Sequence, residues 1–478
     1  MPAVLAIDIG SSAVRAAVVL PRRIVAQQTV RRGGAGSGLR FDPLALWDDV
    51  CRAVAALPER HRRDLGAVGI AGHVGAVIVD DVLAPIGAAY GWANPEGVEE
   101  LRGALGDEQD AVLRETGRPT LGGGPIATLL SLRRRSPGEY ARVAHVLSPK
   151  DYVLARMGGA VVTDHTSAAY YGASSVRDRA WSPGILARLG LPEQLLPVQH
   201  ASADVVGAVT TDAAHRLGVA PGLPLVAGGP DGTIGAMAVA GTRRDAIVDV
   251  AGTTDVLVRV VAEAPTPGGP ELKNPYALDG LWTTGGSTGM TGGAVSWWAH
   301  ALGLGSAAQA LDALRGEMEH TGPGADGVRM LPWMSGSRYP RWRPDARGGL
   351  SGLRGEHGPA HVFRAVLEGV AFSVRQGIDS AAHDDGMPVL LAGGAARSPW
   401  LVQLRADILG RPVTAMREPD VSLVGAGLIA LVATGELDRD EVVWSESEDM
   451  DEVVPSRDSA AYDEVYSEWL DAASAADG

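Results

Sequence analysis

Hydrophobic positions along the chain follow two periods, and each period predicts one kind of element. Val4 to Ile9 and Val14 to Leu20 are short apolar runs typical of strands, separated only by a small polar turn. Pro359 to Ser380 carries its large apolar side chains at helical spacing, which predicts a long amphipathic helix. The acidic stretch from Ser445 to Glu452 breaks the pattern and predicts an exposed linker. We therefore expect an α/β protein.

The turn between the first two predicted strands has candidate phosphate chemistry. The first strand includes Asp8, and Gly10, Ser11 and Ser12 follow it. Backbone N–H groups and small hydroxyls in such a turn can contact phosphate oxygens, and an acid at its mouth can hold Mg²⁺ through water. An ordinary hairpin with a polar tip has the same pattern, so both interpretations stay open at this point.

A second strand–turn–strand segment, residues 247–261, repeats this pattern. VDVAGTTDVLVRVV matches IDIGSSAVRAAVV in its apolar strand, its glycine, its two hydroxyl residues and its β-branched return strand. Gly252, Thr253 and Thr254 form the second turn. Two such hairpins, roughly half a chain apart, indicate a duplicated fold with one copy in each of two domains, facing each other across a cleft.

One acid, Asp231, lies in a run of small residues from Val226 to Gly241. Gly228, Gly229 and Gly232 remove side-chain bulk around it, so a bulky substrate could approach the carboxylate closely. The alternative is a tight strand-to-helix turn in which Asp231 serves only as an N-cap.

A strand–glycine–helix unit lies near the C-terminus. Gly393, Gly394 and Ala395 follow a predicted strand, and Ser398 precedes a proline at the start of a predicted helix. Bare backbone at such a turn can receive a nucleotide, although a plain strand-to-helix junction has the same sequence pattern.

Composition narrows the classes of function. At 478 residues the chain is too long for one ordinary core, so we expect two domains. The formal net charge of −15 argues against nucleic acid or an anionic membrane as the main partner. Cys51 is the only cysteine, which excludes an intrachain disulfide and suits a reducing cytoplasm. The first residues carry no basic leader, and no apolar segment is long enough to span a bilayer.

Lysine is nearly absent, since only Lys150 and Lys273 occur. The P-loop pattern and the lysine-bearing strand of protein kinases both need a lysine, and neither pattern is present. A protein of this sequence that handles ATP must use another device.

Eight segments resemble the FGGY carbohydrate kinases and, within them, the xylulokinase and gluconokinase branch. In chain order these are IDIGSSAVR, GIAGH, SPKDYVLARM, GGPDGTIGA, VDVAGTTD, RYPRWRPDARG, RAVLEGVAF and GGAARSPWLVQLRADILGRPV. The resemblance implies two actin-like, RNase H-like domains with an ATP and sugar site in the cleft between them. We therefore expect an N-terminal domain of residues 1–240 and a C-terminal domain of residues 241–478.

The family motifs imply a role for each matching residue. Asp231 matches the catalytic base, which takes the proton of the sugar hydroxyl as that oxygen attacks the γ-phosphorus of ATP. Asp8 matches the acid of the first phosphate motif, and both carboxylates are expected near Mg²⁺, through water. Residues that match phosphate contacts are Ser11, Ser12, Arg15, Gly252, Thr253 and Thr254. Residues that match the adenosine motif are Gly393, Gly394, Ala395 and Ser398.

Departures from the family pattern cluster where the sugar is expected. His73 lies in a shortened loop, and the usual WNDxR segment reads Trp92-Ala93-Asn94-Pro95-Glu96, which loses its arginine. A usual lysine is replaced at Thr128, and the common GER reads Gly336-Ser337-Arg338. We expect His73, Trp92 and Asn94 to contact the acceptor. The missing arginine and lysine argue against an anionic acceptor such as gluconate.

The resemblance thus implies an ATP- and Mg²⁺-dependent kinase that phosphorylates a hydroxyl of a xylulose-like ketose or a related polyol. One alternative is a non-catalytic actin-like sensor of a sugar or nucleotide, which has no need of a base. The other is a kinase of a non-sugar alcohol such as a nucleoside. The expected partner is a small-molecule acceptor, and neither nucleic acid nor a membrane is expected. The expected location is the cytoplasm, and a homodimer is the only assembly that we predict.

Overall fold

The computed structural model describes residues 3–33, 39–92, 94–119, 124–264, 271–381, 386–418, 420–444 and 450–476. Strands and helices of mixed length alternate along them. The strands are β1 Ala3–Ile9, β2 Ala13–Leu20, β3 Arg23–Arg31, β4 Arg40–Phe41, β5 Leu65–Gly72, β6 Gly75–Val79, β7 Ala89–Gly91, β8 His145–Leu147, β9 Val162–Asp164, β10 Ser174–Ser175, β11 Ala180–Trp181, β12 Val198–His200, β13 Val205–Ala208, β14 Pro224–Val226, β15 Gly229–Pro230, β16 Ile247–Ala251, β17 Asp255–Val261, β18 Leu272–Pro275, β19 Trp282–Ser287, β20 Arg329–Leu331, β21 Gly349–Ser351, β22 Val389–Gly393, β23 Val413–Met416 and β24 Met450–Val453. The helices are α1 Pro43–Ala55, α2 Glu59–Arg62, α3 Val98–Leu105, α4 Gln109–Thr116, α5 Pro125–Arg135, α6 Pro137–Tyr140, α7 Pro149–Met157, α8 His165–Ala168, α9 Pro183–Leu189, α10 Thr211–Leu217, α11 Asp231–Ala240, α12 Thr291–Ala301, α13 Ala307–Thr321, α14 Pro359–Asp379, α15 Pro399–Leu409, α16 Val421–Ala433 and α17 Ser459–Ala475.

Two central sheets share one topology. The first has the strand order β13-β14-β5-β1-β2-β3, with β15 beside β5, and the second has the order β18-β19-β17-β16-β22-β23-β24. In each sheet an antiparallel hairpin, β1–β2 or β16–β17, lies beside a parallel strand, β5 or β22. The two hairpins that the sequence pairs are therefore parts of a larger repeat, and the α/β class is confirmed.

Helix α16 comes from the C-terminal half of the chain but packs on the N-terminal sheet, where it contacts β1, β2 and β5 as well as α11. A Cβ on Gly69 would lie 1.8 Å from the carbonyl oxygen of Ala426, and one on Gly425 would lie 2.3 Å from that of Ile234. Nothing larger than glycine fits at either position, so α16 and α11 are held in one arrangement. The first residues of both helices line the cleft between the two sheets.

The expectation of an exposed linker near the C-terminus is wrong in part. Met450–Val453 forms β24, which pairs with β23 in antiparallel register. Residues 445–449 lie outside the described ranges. Acidic composition is compatible with this strand because β24 is at the sheet edge, where charged side chains prevent further strand pairing.

Candidate active site

The cleft between the sheets contains a cavity of about 1080 Å³. It is lined by both hairpins, by the start of α11 and by the glycine turn after β22, which are far apart in sequence. Most of the residues predicted from the sequence line it: Ser11, Arg15, His73, Trp92, Asn94, Asp231, Gly252, Thr253, Thr254, Gly393 and Gly394. The predicted residues that are not part of its lining are Asp8, Ser12, Ala395 and Ser398.

Asp231 is the first residue of α11 and lines this cavity. The N-cap is Pro230, whose backbone pairs with Gly72 on β5, so the interpretation of Asp231 as a mere N-cap is wrong. The Oδ1 of Asp231 accepts from the adjacent N–H of Gly232 at 2.7 Å, and the carboxylate has no other hydrogen-bond partner among the described residues. Burial raises its pKa, while the Gly232 N–H and the Arg15 charge oppose the rise.

The glycines around Asp231 do not all clear space for a substrate. Gly228 has a φ of +68°, and a Cβ there would lie 1.9 Å from a carbonyl oxygen of β5. A Cβ on Gly229 would lie 3.0 Å from neighbouring side chains. A Cβ on Gly232, in contrast, would meet its nearest atom, on Val256, at 3.6 Å, an ordinary contact distance. Gly228 is thus required by packing, Gly229 is tightly packed, and only Gly232 would accommodate a Cβ at an ordinary contact distance.

Asp8 lies near the end of β1 and is 2% exposed. Its Oδ2 accepts from the Nη1 of Arg15 at 3.1 Å and from the Oγ of Ser422 at 3.0 Å, while its Oδ1 is buried without a partner. Burial raises the pKa of Asp8 to about 6, the charge of Asp231 adds to the rise, and Arg15 and Ser422 oppose it. The two carboxylates are therefore close enough to repel each other.

Two residues at the start of α16 complete this part of the site and were missed by the sequence analysis. Asp420 accepts from the Nε2 of Gln27 at 2.8 Å and pairs with the Nε of Arg15 at 3.3 Å. Ser422 donates to Asp8. No phosphate-type or acid-turn pattern surrounds either residue, so only their contacts with the N-terminal sheet reveal them.

The second hairpin presents its turn to the cavity, but its acids are buried behind it. Residues 252–254 line the cavity. Asp249 and Asp255 pair with Arg405 on α15, at 2.8 Å and 3.3 Å between nitrogen and oxygen. Burial raises the pKa of Asp249, the Arg405 charge opposes this, and the Asp255 charge adds to it. This group was not predicted from the sequence, although Arg405 lies inside one of the family-like segments.

The glycine turn after β22 is built as predicted, with one exception. Gly393 has a φ of +87°, and a Cβ there would lie 2.5 Å from a carbonyl oxygen of β16. Gly394 is exposed and Ala395 is half-buried. The Oγ of Ser398 accepts from a backbone N–H of α15 at 3.4 Å and caps that helix, so this hydroxyl is engaged outside the cavity. Arg397 lines the cavity and was missed.

His73 is buried between β5 and β6 and also borders the cavity. Its Nδ1 lies 2.9 Å from the carbonyl oxygen of Val74, and its Nε2 lies 3.3 Å from the Nη1 of Arg32. Arginine can only donate, so Nε2 is assigned as the acceptor and Nδ1 as the protonated nitrogen. Burial lowers the pKa of His73 to about 4, and the ring is neutral at pH 7.

The altered tryptophan segment keeps an aromatic ring and an amide at the cavity. The guanidinium of Arg338 lies 4.9 Å from the centre of a Trp92 ring. Asn94 accepts from the N–H of Glu96 at 2.9 Å, and its Nδ2 is buried without a partner. The carboxylate of Glu96 pairs with Arg40. The sequence change that removed an arginine therefore did not add an acid to the cavity lining.

A buried lysine supports the strand that leads to Asp231. Lys150 contacts Asp151 at 2.5 Å and Asp164 at 2.9 Å, and it donates to the carbonyl oxygen of Ala227 at 2.9 Å. Its charge is balanced by two carboxylates, which buried charges require. Lys150 thus fixes the backbone just before the glycines that precede the base candidate.

The chain resembles known proteins over almost its whole length. The FGGY family of carbohydrate kinases is matched by its N-terminal domain over residues 3–238 and by its C-terminal domain over residues 248–434. A xylulose kinase of Escherichia coli (strain K12) is 30% identical over 444 residues, which are 90% of either chain. A gluconokinase of Bacillus licheniformis is 27% identical over 369 residues, which are 74% of this chain and 69% of that one. The crystal structure of xylulose kinase from Rhodospirillum rubrum matches with a TM-score of 0.85 and 26% identity, covering 99% of this chain and 98% of that chain.

These matches agree with the duplicated sheets and with the cleft between them. Both domains of the family are present, in the family's order. The chain therefore belongs to the FGGY family of carbohydrate kinases, in its xylulokinase- and gluconokinase-like branch, and is a two-domain, actin-like phosphotransferase that acts on an alcohol group.

Proposed function

We propose that this kinase transfers the γ-phosphate of ATP to a hydroxyl of a xylulose-like ketose or a related polyol, with Asp231 as general base. The observation that carries the proposal is the Asp231 carboxylate. It lines the cavity between two phosphate-type hairpins, and the N–H of Gly232 is its sole hydrogen-bond partner among the described residues. An otherwise unengaged carboxylate oxygen can accept the proton of an acceptor hydroxyl.

In the reaction, Asp231 takes this proton as the hydroxyl oxygen forms its bond to the γ-phosphorus. The bond from that phosphorus to the bridging oxygen of ADP breaks, and ADP leaves. A base is most effective when its pKa lies near the working pH, and burial moves the pKa of Asp231 in that direction.

We assign the phosphates of ATP to the two hairpin turns. Ser11, Arg15 and residues 252–254 line the cavity, which supports this assignment. Ser12 is exposed, and its carbonyl oxygen accepts from the N–H of Arg32 at 2.9 Å, which holds the turn. Phosphoryl transfer depends on positioning and charge neutralisation more than on covalent chemistry, so two facing turns suit it.

The residues present fit a magnesium ion that is held through water. The Oδ1 of Asp8 is buried and has no protein partner, and Asp231 lies near enough to affect the same carboxylate. The described ranges contain no group of three or more His, Cys, Asp or Glu side chains that could hold a metal directly. We assign Mg²⁺ to Asp8 and Asp231; when bound with ATP it neutralises phosphate charge.

We assign adenosine to Gly393, Gly394 and Ala395, with Ser398 supporting the turn by capping α15. We assign the acceptor to His73, Trp92 and Asn94, which line the cavity together with Asp231. The Nδ2 of Asn94 has no partner and can donate to a hydroxyl-rich ligand, whereas both ring nitrogens of His73 already have protein partners.

The domain boundary is also part of the proposal. We place the domain boundary after residue 240, because β1 to β15 precede this point and the second central sheet follows it. Cytoplasmic location, absence of nucleic-acid partners and a homodimer stay predictions. In the described ranges the structure has no helix with the length and apolar character needed to cross a membrane.

Acceptor-dependent ADP release from Mg·ATP tests the function. The panel contains ketoses, polyols, aldonates and nucleosides. Asp231→Asn keeps the side-chain shape without the base, so we expect kcat to fall by about 10²- to 10⁴-fold. Calorimetric ATP binding should persist. Asp245→Asn, at an exposed carboxylate, is the matched control and should leave kcat unchanged.

Near-normal turnover of Asp231→Asn would show that another group is the base. Turnover with nucleosides alone would favour the kinase of a non-sugar alcohol. ATP binding without turnover or hydrolysis would favour the sensor. Neither alternative has support from the comparisons, which name kinases of sugars and polyols.

A further inference from the structure

Two arginines from different halves of the chain lie over aromatic rings that line the cavity. The guanidinium carbon of Arg118, just after α4, lies 3.5 Å from the centre of the Tyr170 ring. Arg338, between β20 and β21, lies over Trp92, and Tyr170 is close enough to influence its pKa. All four side chains line the same cavity.

Neither arginine pairs with a carboxylate among the described residues. The Nε of Arg118 donates to the Oδ1 of Asn274, a neutral amide, at 2.9 Å, and its Nη2 is buried without a partner. Arg118 is only 6% exposed. Burial lowers the pKa of Arg338, and Tyr170 opposes this without offsetting it. A buried and a half-buried guanidinium without an anion are costly, which points to a ligand that supplies one.

The carboxylates in the lining have other partners or another task. Glu99 pairs with Arg102 at 3.9 Å, and Asp420 pairs with Arg15 at 3.3 Å. Asp231 is the proposed base. Within the described ranges these are the acids that line the cavity, and none forms an ion pair with Arg118 or Arg338.

We infer that Arg118 and Arg338 form an anion site beside Tyr170, which selects an acceptor bearing a carboxylate or phosphate group as well as a reactive hydroxyl. Arginine suits this task because its planar fork of donors matches a carboxylate or phosphate with two hydrogen bonds. The inference rests on the proposed function, since another hydroxyl of the same molecule must reach Asp231. It narrows the proposed acceptor from a related polyol to an acidic derivative of one. The missing arginine and lysine of the family pattern argued against an anionic acceptor, but Arg118 and Arg338 supply positive charge from other positions.

Matched acceptors test the charge directly. Steady-state ADP release is measured with D-xylulose, xylitol and sorbitol as neutral acceptors, xylonate and gluconate as carboxylates, and sorbitol 6-phosphate as the phosphate. We expect kcat/KM for at least one anionic acceptor to exceed that of the neutral acceptor of the same chain length by about tenfold or more, the range of one charged hydrogen bond. Comparison of the carboxylate and phosphate arms identifies the anion.

Arg118→Gln and Arg338→Gln then locate the effect. Each variant should raise KM for the anionic acceptor by about 10- to 100-fold, with a smaller change in kcat, and should leave KM for ATP and for a neutral acceptor nearly unchanged. Arg338→Lys keeps the charge without the fork and should lie between. Arg114→Gln, at an exposed arginine on α4, is the matched control.

Several outcomes overturn the inference. One is a preference for neutral acceptors; another is an equal rise in KM for neutral and anionic acceptors in the glutamine variants, which marks a structural role. If no neutral or anionic acceptor is phosphorylated while Asp231-dependent ATP hydrolysis persists, selection of these anions is refuted. The assignment of the protein as a kinase is not. If Asp231→Asn does not reduce ADP release, the assignment of the base is refuted instead. The anion site would still stand in that case, provided that the wild-type protein prefers anionic acceptors and the arginine variants lose this preference.

Discussion

In the first hairpin, Asp8 lies opposite Arg15 in the β1–β2 register, and Arg15 itself lines the cavity. In the second, Asp249 lies opposite Leu257 in the β16–β17 register, and its charge is balanced by Arg405 from α15. The backbones of the two hairpins match, and each has a parallel neighbour on the same side. The charge of Asp8 is balanced near the cleft, by Arg15, whereas the charge of Asp249 is balanced inside the C-terminal core, by Arg405.

This difference separates two tasks that the sequence repeat does not distinguish. Asp8 and Asp249 each keep one buried oxygen without a partner, and each has a second carboxylate nearby that raises its pKa. Asp8 differs because its neighbours Arg15 and Asp231 line the cavity, where such groups are typical of functional sites. Asp249 and Asp255 share one buried arginine, which is typical of a scaffold. We therefore propose that the first hairpin supplies charge to the reaction, while the second supplies a rigid turn.

The largest effect should come from breaking the scaffold of the second hairpin. Arg405→Met leaves two buried carboxylates without a cation, so we expect the free energy of unfolding to fall by about 3–5 kcal/mol. Denaturant unfolding followed by circular dichroism measures this. Arg243→Met, at an exposed ion pair, is the matched control and should cost less than about 1 kcal/mol. Equal losses in the two variants would contradict the scaffold role.

In the first hairpin, Asp8→Asn should reduce activity without reducing stability. It removes the charge we assign to Mg²⁺, so kcat/KM for Mg·ATP should fall by roughly 100-fold, about 2.7 kcal/mol. Stability should not fall, because the substitution removes a buried charge next to Asp231. Kinetics over a range of Mg²⁺ concentrations, together with thermal unfolding, test both parts. An unchanged Mg²⁺ dependence would refute the assignment, and Asp245→Asn is again the control.

Local signals made much of this arrangement predictable. The hairpin turns, the glycine turn and the helix after Asp231 each carry their own pattern of glycines, hydroxyls and apolar runs, and the structure contains each of them. Together with the family resemblance they gave the two-domain fold and 11 of the residues that line the cavity.

The partners of these residues were not predictable in the same way. Asp420, Ser422 and Arg118 reach the site from elements that are distant in sequence, and packing alone decides their contacts. Arg405 reaches the buried acids of the second hairpin in the same way. Ser398 shows the reverse error. Its position suits both a helix cap and a ligand contact, and the structure uses its hydroxyl for the cap.

Acid should destabilise the surroundings of the first hairpin through His73. The backbone N–H of His73 donates to the carbonyl oxygen of Ile9 at 2.9 Å, at the end of β1. Its folded pKa of about 4 lies below the ordinary value of 6.5, so below pH 6.5 the unfolded chain binds a proton that the folded chain does not. This contribution to stability is fully present above pH 6.5 and is lost as the pH falls towards 4.

The expected loss is about 1.4 kcal/mol between pH 8 and pH 5.5. Urea unfolding at several pH values, with His73→Asn for comparison, measures it: the difference in unfolding free energy between the two proteins should shrink towards acid pH. A difference that is independent of pH would mean that His73 protonates equally well in both states.

The smallest effect should come from Ser422→Ala, which removes one of the two side-chain donors to Asp8 and leaves Arg15 in place. We expect kcat/KM for Mg·ATP to fall about fivefold, roughly 1 kcal/mol, because one hydrogen bond that orients the carboxylate is lost. Ser296→Ala, at an exposed serine whose hydroxyl donates to a helix carbonyl, is the matched control. A fall in stability without a fall in kcat/KM would show that Ser422 has a structural role, like Arg405. The reactive part of the site would then include the first hairpin but not this residue of α16.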